Sequence, residues 1–199
     1  MDDEADESKR KAFAAPLDGG CLLTTGQLVL RPPRPEDASS IASIASNRKI
    51  AEQTRRMPFP YHLEDAHKWI RGIADSDECA FLVTRKNDAA VVGASGFGIR
   101  DSGEHEIGYW IGEPYWGNGY ATEAAHAIID YAFANRPIEM LNSRCRVVNA
   151  ASQRVLVKCG FQLVGTGMSD SRAYGGPVPV DEFVLERSVW QSLKQWGAA

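Results

Sequence analysis

"EPYWGNGYATEAAHAIIDYAF", residues 113–133, sets two glycines one residue apart directly before an alanine-rich apolar repeat. Ala121, Ala124, Ala125, Ile128, Ile129, Ala132 and Phe133 fall twice over on the i, i+3, i+4, i+7 pattern, which predicts a helix that Pro137 closes. A helix starting at the glycines leaves its first N–H groups without internal partners, at the positive end of its dipole. Gly117 and Gly119 lack the Cβ that would hold a ligand off the chain, so the loop reads either as an anion site or as a bare turn that starts a helix. A P-loop requires a Lys after its last glycine, and none follows here. A dinucleotide fingerprint needs an acidic residue about 20 positions on, at the end of the next strand. Glu139 has the distance but precedes that strand.

Working outward, "AFLVTR" (80–85), "AVVGASGFGIR" (90–100) and "HEIGYWIG" (105–112) are short β-branched or aromatic runs separated by the turn compositions "KNDA" and "DSGE". They predict an antiparallel meander. After the helix come a strand in "MLNSRCRVV" (140–148), a short helix in "ASQRVLVKCG" (151–160) ended by Gly160, and strands in "FQLVGTG" (161–167) and "VDEFVLER" (180–187). Upstream, "GQLVLRPPRPEDASSIASIAS" (26–46) opens with a strand that Pro32 and Pro33 end, then a helix with Ile41, Ile44 and Ala45 inward. "HLEDAHKWIRGIAD" (62–75) places Leu63, Ala66, Ile70 and Ile73 at helical spacing. Trp190 and Trp196 read as packing for a terminal helix. The order β α α β β β α β α β β implies one parallel crossover within an otherwise antiparallel sheet, an α+β fold.

A chain of 199 residues with 44% hydrophobic content holds one ordinary core, so residues 23–199 are expected as a single domain behind a charged tail at 1–22. With a net charge of −4 and no compact basic run beyond Lys9, Arg10 and Lys11, nucleic acid is not an expected partner. Cys21, Cys79, Cys145 and Cys159 are scattered without a CxxC pair and read as free thiols, with no metal site expected. No signal-peptide core or membrane-length apolar run is present, so the expected compartment is cytoplasmic.

"NAASQRVLVKCGF", residues 149–161, follows one strand after the glycine loop. The stretch from Glu106 to Gly165, with "LVLRPPRPEDA" (28–38) upstream, resembles the GNAT superfamily of acyl-CoA N-acyltransferases, and more narrowly its ribosomal-protein N-terminal acetyltransferase branch. The resemblance implies a three-layer sandwich with a mixed, mostly antiparallel sheet flanked by helices. It implies acetyl-CoA as acyl donor, its pyrophosphate on the backbone of Trp116, Gly117, Asn118, Gly119, Tyr120, Ala121 and Thr122. Tyr109, Trp110 and Ile111 would then hydrogen-bond the pantetheine arm and supply an amide to the thioester carbonyl, and Asn149 would orient the acyl donor or the amine. The implied acceptor is a primary amine such as a protein or peptide α-amino group, with small amines, polyamines or antibiotics as the alternative and a homodimer left open as the assembly. Pro114 departs from the wider superfamily's Gln or Arg, a form common in the ribosomal-protein branch. Leu156 stands where many members carry a tyrosine acid.

Acetyl transfer needs a neutral amine, a donor for the developing oxyanion and a proton for the leaving thiolate. In "HEIGYWI", Glu106, Gly108 and Trp110 share one strand face and Ile107, Tyr109 and Ile111 the other. Glu106 matches by position the carboxylate that serves as base in the family; a solvent-facing strand glutamate is the plainer reading, and His105 is a competing base. Asn149 also reads as a helix N-cap. Ser152, on the exposed first turn, reads either as the acid for the thiolate, which the resemblance to the ribosomal-protein branch supports, or as a plain helix serine. Arg154 and Lys158 reach either the adenosine phosphates or solvent. A non-catalytic acyl-CoA-binding regulatory domain would need the glycines but neither Glu106 nor Ser152, and the presence of both favours an enzyme.

Overall fold

A computed structural model of the chain describes residues 22–197 apart from 75, 77 and 101. Most of the expected tail, with Cys21, lies outside the described residues. The strands are β1 Leu23–Thr24, β2 Leu28–Arg31, β3 Cys79–Arg85, β4 Val91–Ile99, β5 His105–Ile111, β6 Met140–Arg146, β7 Gln162–Ser171 and β8 Gly176–Glu186. The helices are α1 Ala38–Ala45, α2 Arg48–Ala51, α3 Leu63–Ala74, α4 Tyr120–Asn135, α5 Ala150–Lys158 and α6 Arg187–Gly197. All eight strands form one sheet in the order β1-β2-β3-β4-β5-β6-β8-β7. Only β5 and β6 run parallel, as the crossover through α4 requires.

The sheet buries a different cluster on each face. Ala124, Ala125, Ile128, Ile129, Ala132 and Phe133 of α4 and Leu156 of α5 pack with Phe81, Val83, Ile107 and Leu141 of the sheet. Each large side chain withdrawn from water here contributes about 2 kcal/mol. On the other face Ile41 and Ala45 of α1 and Ala66 of α3 close over Leu82, with Trp110 at the border. The result is the three-layer α+β sandwich.

Four elements depart from the sequence expectation. β1 and α2 are additional, the latter capped by Asn47 Oδ1, which accepts from Lys49 N at 2.9 Å. The last two strands run further toward each other than expected because Pro177 and Pro179 sit beyond the end of β6, which pairs only as far as Arg146↔Val180. Pro179 O accepts from Val147 N at 3.3 Å, so the missing proline N–H turns to a side with no strand to feed. Trp190 packs as expected, its ring 5.2 Å from Phe133 and its N–H donated to Asp130 at 2.8 Å. Trp196 does not: it is 88% exposed. Leu63 is likewise exposed, and α3 packs through Ala66, Trp69 and Ile70 instead.

Candidate active site

β5 and β6 pair at one position only, Glu106↔Asn142. Beyond it the side chains take over: Asn142 Nδ2 donates to His105 O and Ser143 Oγ to Ile107 O, each at 3.3 Å. Further on the strands part. On its other edge β5 pairs with β4 without a bulge, and the flanking bonds Arg100 N→Glu104 O (2.9 Å) and Gly112 N→Val92 O (2.8 Å) fix which residues face β4. Even-numbered residues, Trp110 among them, turn their backbone groups to β4. Tyr109 and Ile111 therefore turn theirs to the open side, where β6 no longer supplies partners. The Ile111 carbonyl is taken by Trp116 Nε1, at 2.6 Å.

That bond ties the strand edge to the glycine loop. A 3-10 turn over Glu113–Tyr115, with Pro114 in its first positions, leads into it. Glu113 accepts from Asn47 Nδ2 at 2.7 Å and from Lys49 Nζ, anchoring the turn to α2. Gly117 and Gly119 have φ of 82° and 80°, and a Cβ on either would meet nothing within 4 Å, so the space over the loop is open. Gly119 is the N-cap of α4 and no side chain caps that helix. Asn118 Nδ2 bonds back to the carbonyls of Tyr115 and Trp116 instead. The first amides of α4, at Tyr120, Ala121 and Thr122, are thus presented bare. Glu123 faces away, accepting from Thr25 Oγ1 (2.5 Å) and Gln27 N (2.6 Å) to pin the β1–β2 turn.

Glu106 is inside the cleft, half-buried, with its Oε2 2.8 Å from an Arg100 guanidinium nitrogen in an ion pair rather than a directed hydrogen bond. Burial pushes its carboxyl above the usual range against the pull of Arg100, Arg55 and Arg56. His105 lies outside the cleft lining and burial lowers its pKa. Across the gap, Asn149 Oδ1 accepts from Ser152 N at 3.0 Å, so Asn149 caps α5. Ser152 Oγ is 2.8 Å from the Tyr109 hydroxyl, which also reaches the Ser152 carbonyl at 3.3 Å. Burial, first of the influences on it, raises the Tyr109 phenol far above its ordinary value. Leu156 is fully buried, so that position does not face the cleft.

Glu106, Tyr109, Trp110, Ile111, Trp116, Gly117, Gly119 to Thr122, Asn149 and Ser152 all line one continuous cleft of about 1090 Å³. The sequence matches the acetyltransferase (GNAT) domain over residues 27–162. The chain belongs to the GNAT acetyltransferase family. An N-acetyltransferase of Bacillus licheniformis, p20, is 29% identical over 169 residues, covering 82% of this chain and 94% of its own. A GNAT-family acetyltransferase structure from Bacillus anthracis matches the fold with a TM-score of 0.73 at 20% identity, over 84% of this chain and 99% of that one. RimL, a ribosomal L7/L12 alpha-N-protein acetyltransferase solved in complex with coenzyme A, matches with a TM-score of 0.71 at 19% identity, over 83% and 97%. The protein is thus an N-acetyltransferase of the GNAT fold.

Within this GNAT cleft, the structure adds residues that sequence reasoning passes over. The phenol of Tyr109 is one; sequence alternation gives its face but not its reach to Ser152. Outside the cleft lining, Arg85 at the end of β3 lies 5.3 Å over the ring of Tyr115, which does line it. Arg154 and Lys158 are exposed and outside the cleft lining. The same cleft is lined by Arg55, Arg56, Arg100, Arg144 and Arg172, with Lys49 and Lys68, against Asp65, Glu78 and Glu106. Cys79, Cys145 and Cys159 are buried and outside any disulfide among the described residues, and burial raises the Cys145 thiol to about 11. No described helix is long and apolar enough to cross a membrane.

Proposed function

We propose that the protein transfers acetyl from acetyl-CoA to a primary amine, the α-amino group of a protein or peptide. One observation carries this reading. Two sets of unpartnered backbone donors, at the start of α4 and along the free edge of β5, open onto the same cleft as Glu106 and Ser152. The bare amides of Tyr120 to Thr122 and the Cβ-free approach at Gly117 and Gly119 fit a pyrophosphate, and the amides of Tyr109 and Ile111 fit a pantetheine arm. Acetyl-CoA supplies the acyl group already activated as a thioester. Glu106, its carboxyl raised by burial, takes a proton from the acceptor's ammonium directly or through a water, and the neutral amine attacks the thioester carbonyl. A β5 edge amide donates to the carbonyl oxygen as charge develops there. Ser152 gives a proton to the departing sulfur, with the Tyr109 phenol behind it as partner. Asn149 holds the first turn of α5 so that Ser152 faces the gap.

The α-amine acceptor draws support from the likeness to RimL, whose name carries that substrate. A purely acyl-CoA-binding domain would have no use for Glu106 and Ser152 at the two ends of the same gap. The test is release of free thiol from acetyl-CoA across peptides, polyamines and aminoglycosides, with mass spectrometry of the acceptor. Acetylated peptide N-termini are the expected product; turnover confined to polyamines or aminoglycosides would refute the acceptor, and binding without turnover would refute the enzyme.

A further inference from the structure

We infer that the acceptor amine carries an anionic group, received by Arg55 and Arg172 at the rim of the cleft; the inference rests on the acetyl-transfer reading above and names its substrate class. A chain with a net charge of −4 has lined this one cleft with more cations than carboxylates. Most of those cations already have carboxylate partners: Arg56 with Glu78, Arg100 with Glu106, Arg144 with Glu182, Lys49 with Glu113. Arg55 and Arg172 have none among the described residues, and both are exposed. They come from distant segments, the loop after α2 and the β7–β8 turn, yet Arg172 N donates to Arg55 O at 2.9 Å. A second bridge holds the same two segments together, with Arg146 donating to Glu52 O (3.2 Å) and to the Tyr174 hydroxyl (2.8 Å).

Two guanidiniums that form no ion pair among the described residues are therefore carried on segments joined backbone to backbone, both lining the cleft that holds Glu106, whose carboxyl feels the charge of Arg55. Such a pair repels a polycation and draws a carboxylate or phosphate, the guanidinium fork being suited to either. Its field also disfavours the ammonium form of an amine beside Glu106, so less proton abstraction is required of the base. The chemistry is that of an amine with an acid group a few bonds away, whether an acidic peptide N-terminus or a free amino acid.

The experiment compares thiol release with a peptide carrying Asp and Glu at its second and third positions, its Asn/Gln isostere, free glutamate and spermidine. It uses the full chain and an Arg55→Gln/Arg172→Gln variant, with coenzyme A affinity followed by calorimetry. The acidic peptide should exceed its isostere about tenfold in kcat/KM, through KM, as two exposed ion pairs allow. The preference should shrink in about 0.5 M salt and vanish in the double variant while coenzyme A affinity holds. Turnover of glutamate in place of the peptide would support the proposal with a small-molecule source of the acid. Equal use of the acidic and neutral peptides, preference for spermidine, or a preference that survives the double substitution would overturn it and leave acetyl transfer intact. Loss of both coenzyme A binding and all turnover in the unsubstituted protein would instead overturn the acetyl-transfer reading and this proposal with it.

Discussion

Gly119→Asp, set beside Gly119→Asn, isolates the charge of the glycine loop. The residue has φ of 80° and no atom within 4 Å of a built Cβ, so neither side chain clashes with the protein. Asn and Asp both tolerate the left-handed region, at a cost of about 1 kcal/mol relative to glycine, which lowers Tm by about 2–4 °C in a domain this size. Both side chains crowd the approach of a phosphate, and only Asp adds a negative charge. At about 4 Å from a phosphate oxygen, that charge costs about 1 kcal/mol in water-like surroundings and about 4 kcal/mol at the effective dielectric of a protein surface. Coenzyme A should therefore bind the Asp variant between about fivefold and a thousandfold more weakly than the Asn variant, and the gap should narrow as salt is added. Isothermal calorimetry measures both, with thermal melting to confirm folding. Folded Asp and Asn variants that bind coenzyme A equally well would refute an anion site on this loop.

At the thiolate end, Ser152→Ala should lower kcat by about ten- to a thousandfold with coenzyme A affinity unchanged, while Tyr109→Phe, which removes the 2.8 Å partner but keeps the serine, should cost about threefold to tenfold. Normal kcat in Ser152→Ala would hand the proton to water. Glu106 acts as a base only when ionised, so kcat/KM should rise with pH through its elevated pKa; Glu106→Gln should lose about ten- to a thousandfold near pH 7 and recover above about pH 9, where an α-amine is already neutral. Superimposable pH profiles would remove Glu106 from the mechanism. Asp37 is buried, which pushes its carboxyl up, but two 2.7 Å bonds from Arg31 and one from Arg34 N outweigh burial and hold it below the usual range. Its stabilisation is complete above the ordinary carboxylate pKa and is lost as pH falls through the lowered one. Asp37→Asn should cost about 3 kcal/mol near pH 7, roughly 10 °C in Tm, with the gap closing in strong acid; equal melting at pH 7 would contradict the pair's role.

The elements that were legible in the sequence are those whose own periodicity decides them. The α4 pattern from Ala121 to Phe133 names its buried face almost residue by residue, because a helix packed on a sheet must bury one stripe. The three meander strands follow the same logic through alternation. What was not legible depends on partners far along the chain. Pro177 and Pro179 argue locally against a strand, and only the point where β6 ends makes them harmless. Trp196 looks like a core residue by its type, and nothing near it in the sequence tells that its place on α6 stays exposed. In the cleft, bare glycines before a helix leave an anion site and a plain turn both open, and the open space over Gly117 and Gly119 is a feature of the structure alone. The bond from Tyr109 to Ser152 spans 43 positions, and the meeting of Arg55 with Arg172 spans more than twice that. No local pattern encodes such pairs; the first joins β5 to the first turn of α5, and the second joins the loop after α2 to the β7–β8 turn.

In the proposed complex one acetyl-CoA lies along the edge of β5 with its phosphates on the first turn of α4. Amide NMR of the isotopically labelled chain, titrated with coenzyme A, tests it residue by residue. The largest shifts are expected at Gly117, Gly119, Tyr120, Ala121 and Thr122, with larger shifts at Tyr109 and Ile111 than at Trp110, whose amide is committed to β4. Saturation with coenzyme A that leaves the loop amides unmoved, or shifts gathered instead around α6, would contradict it.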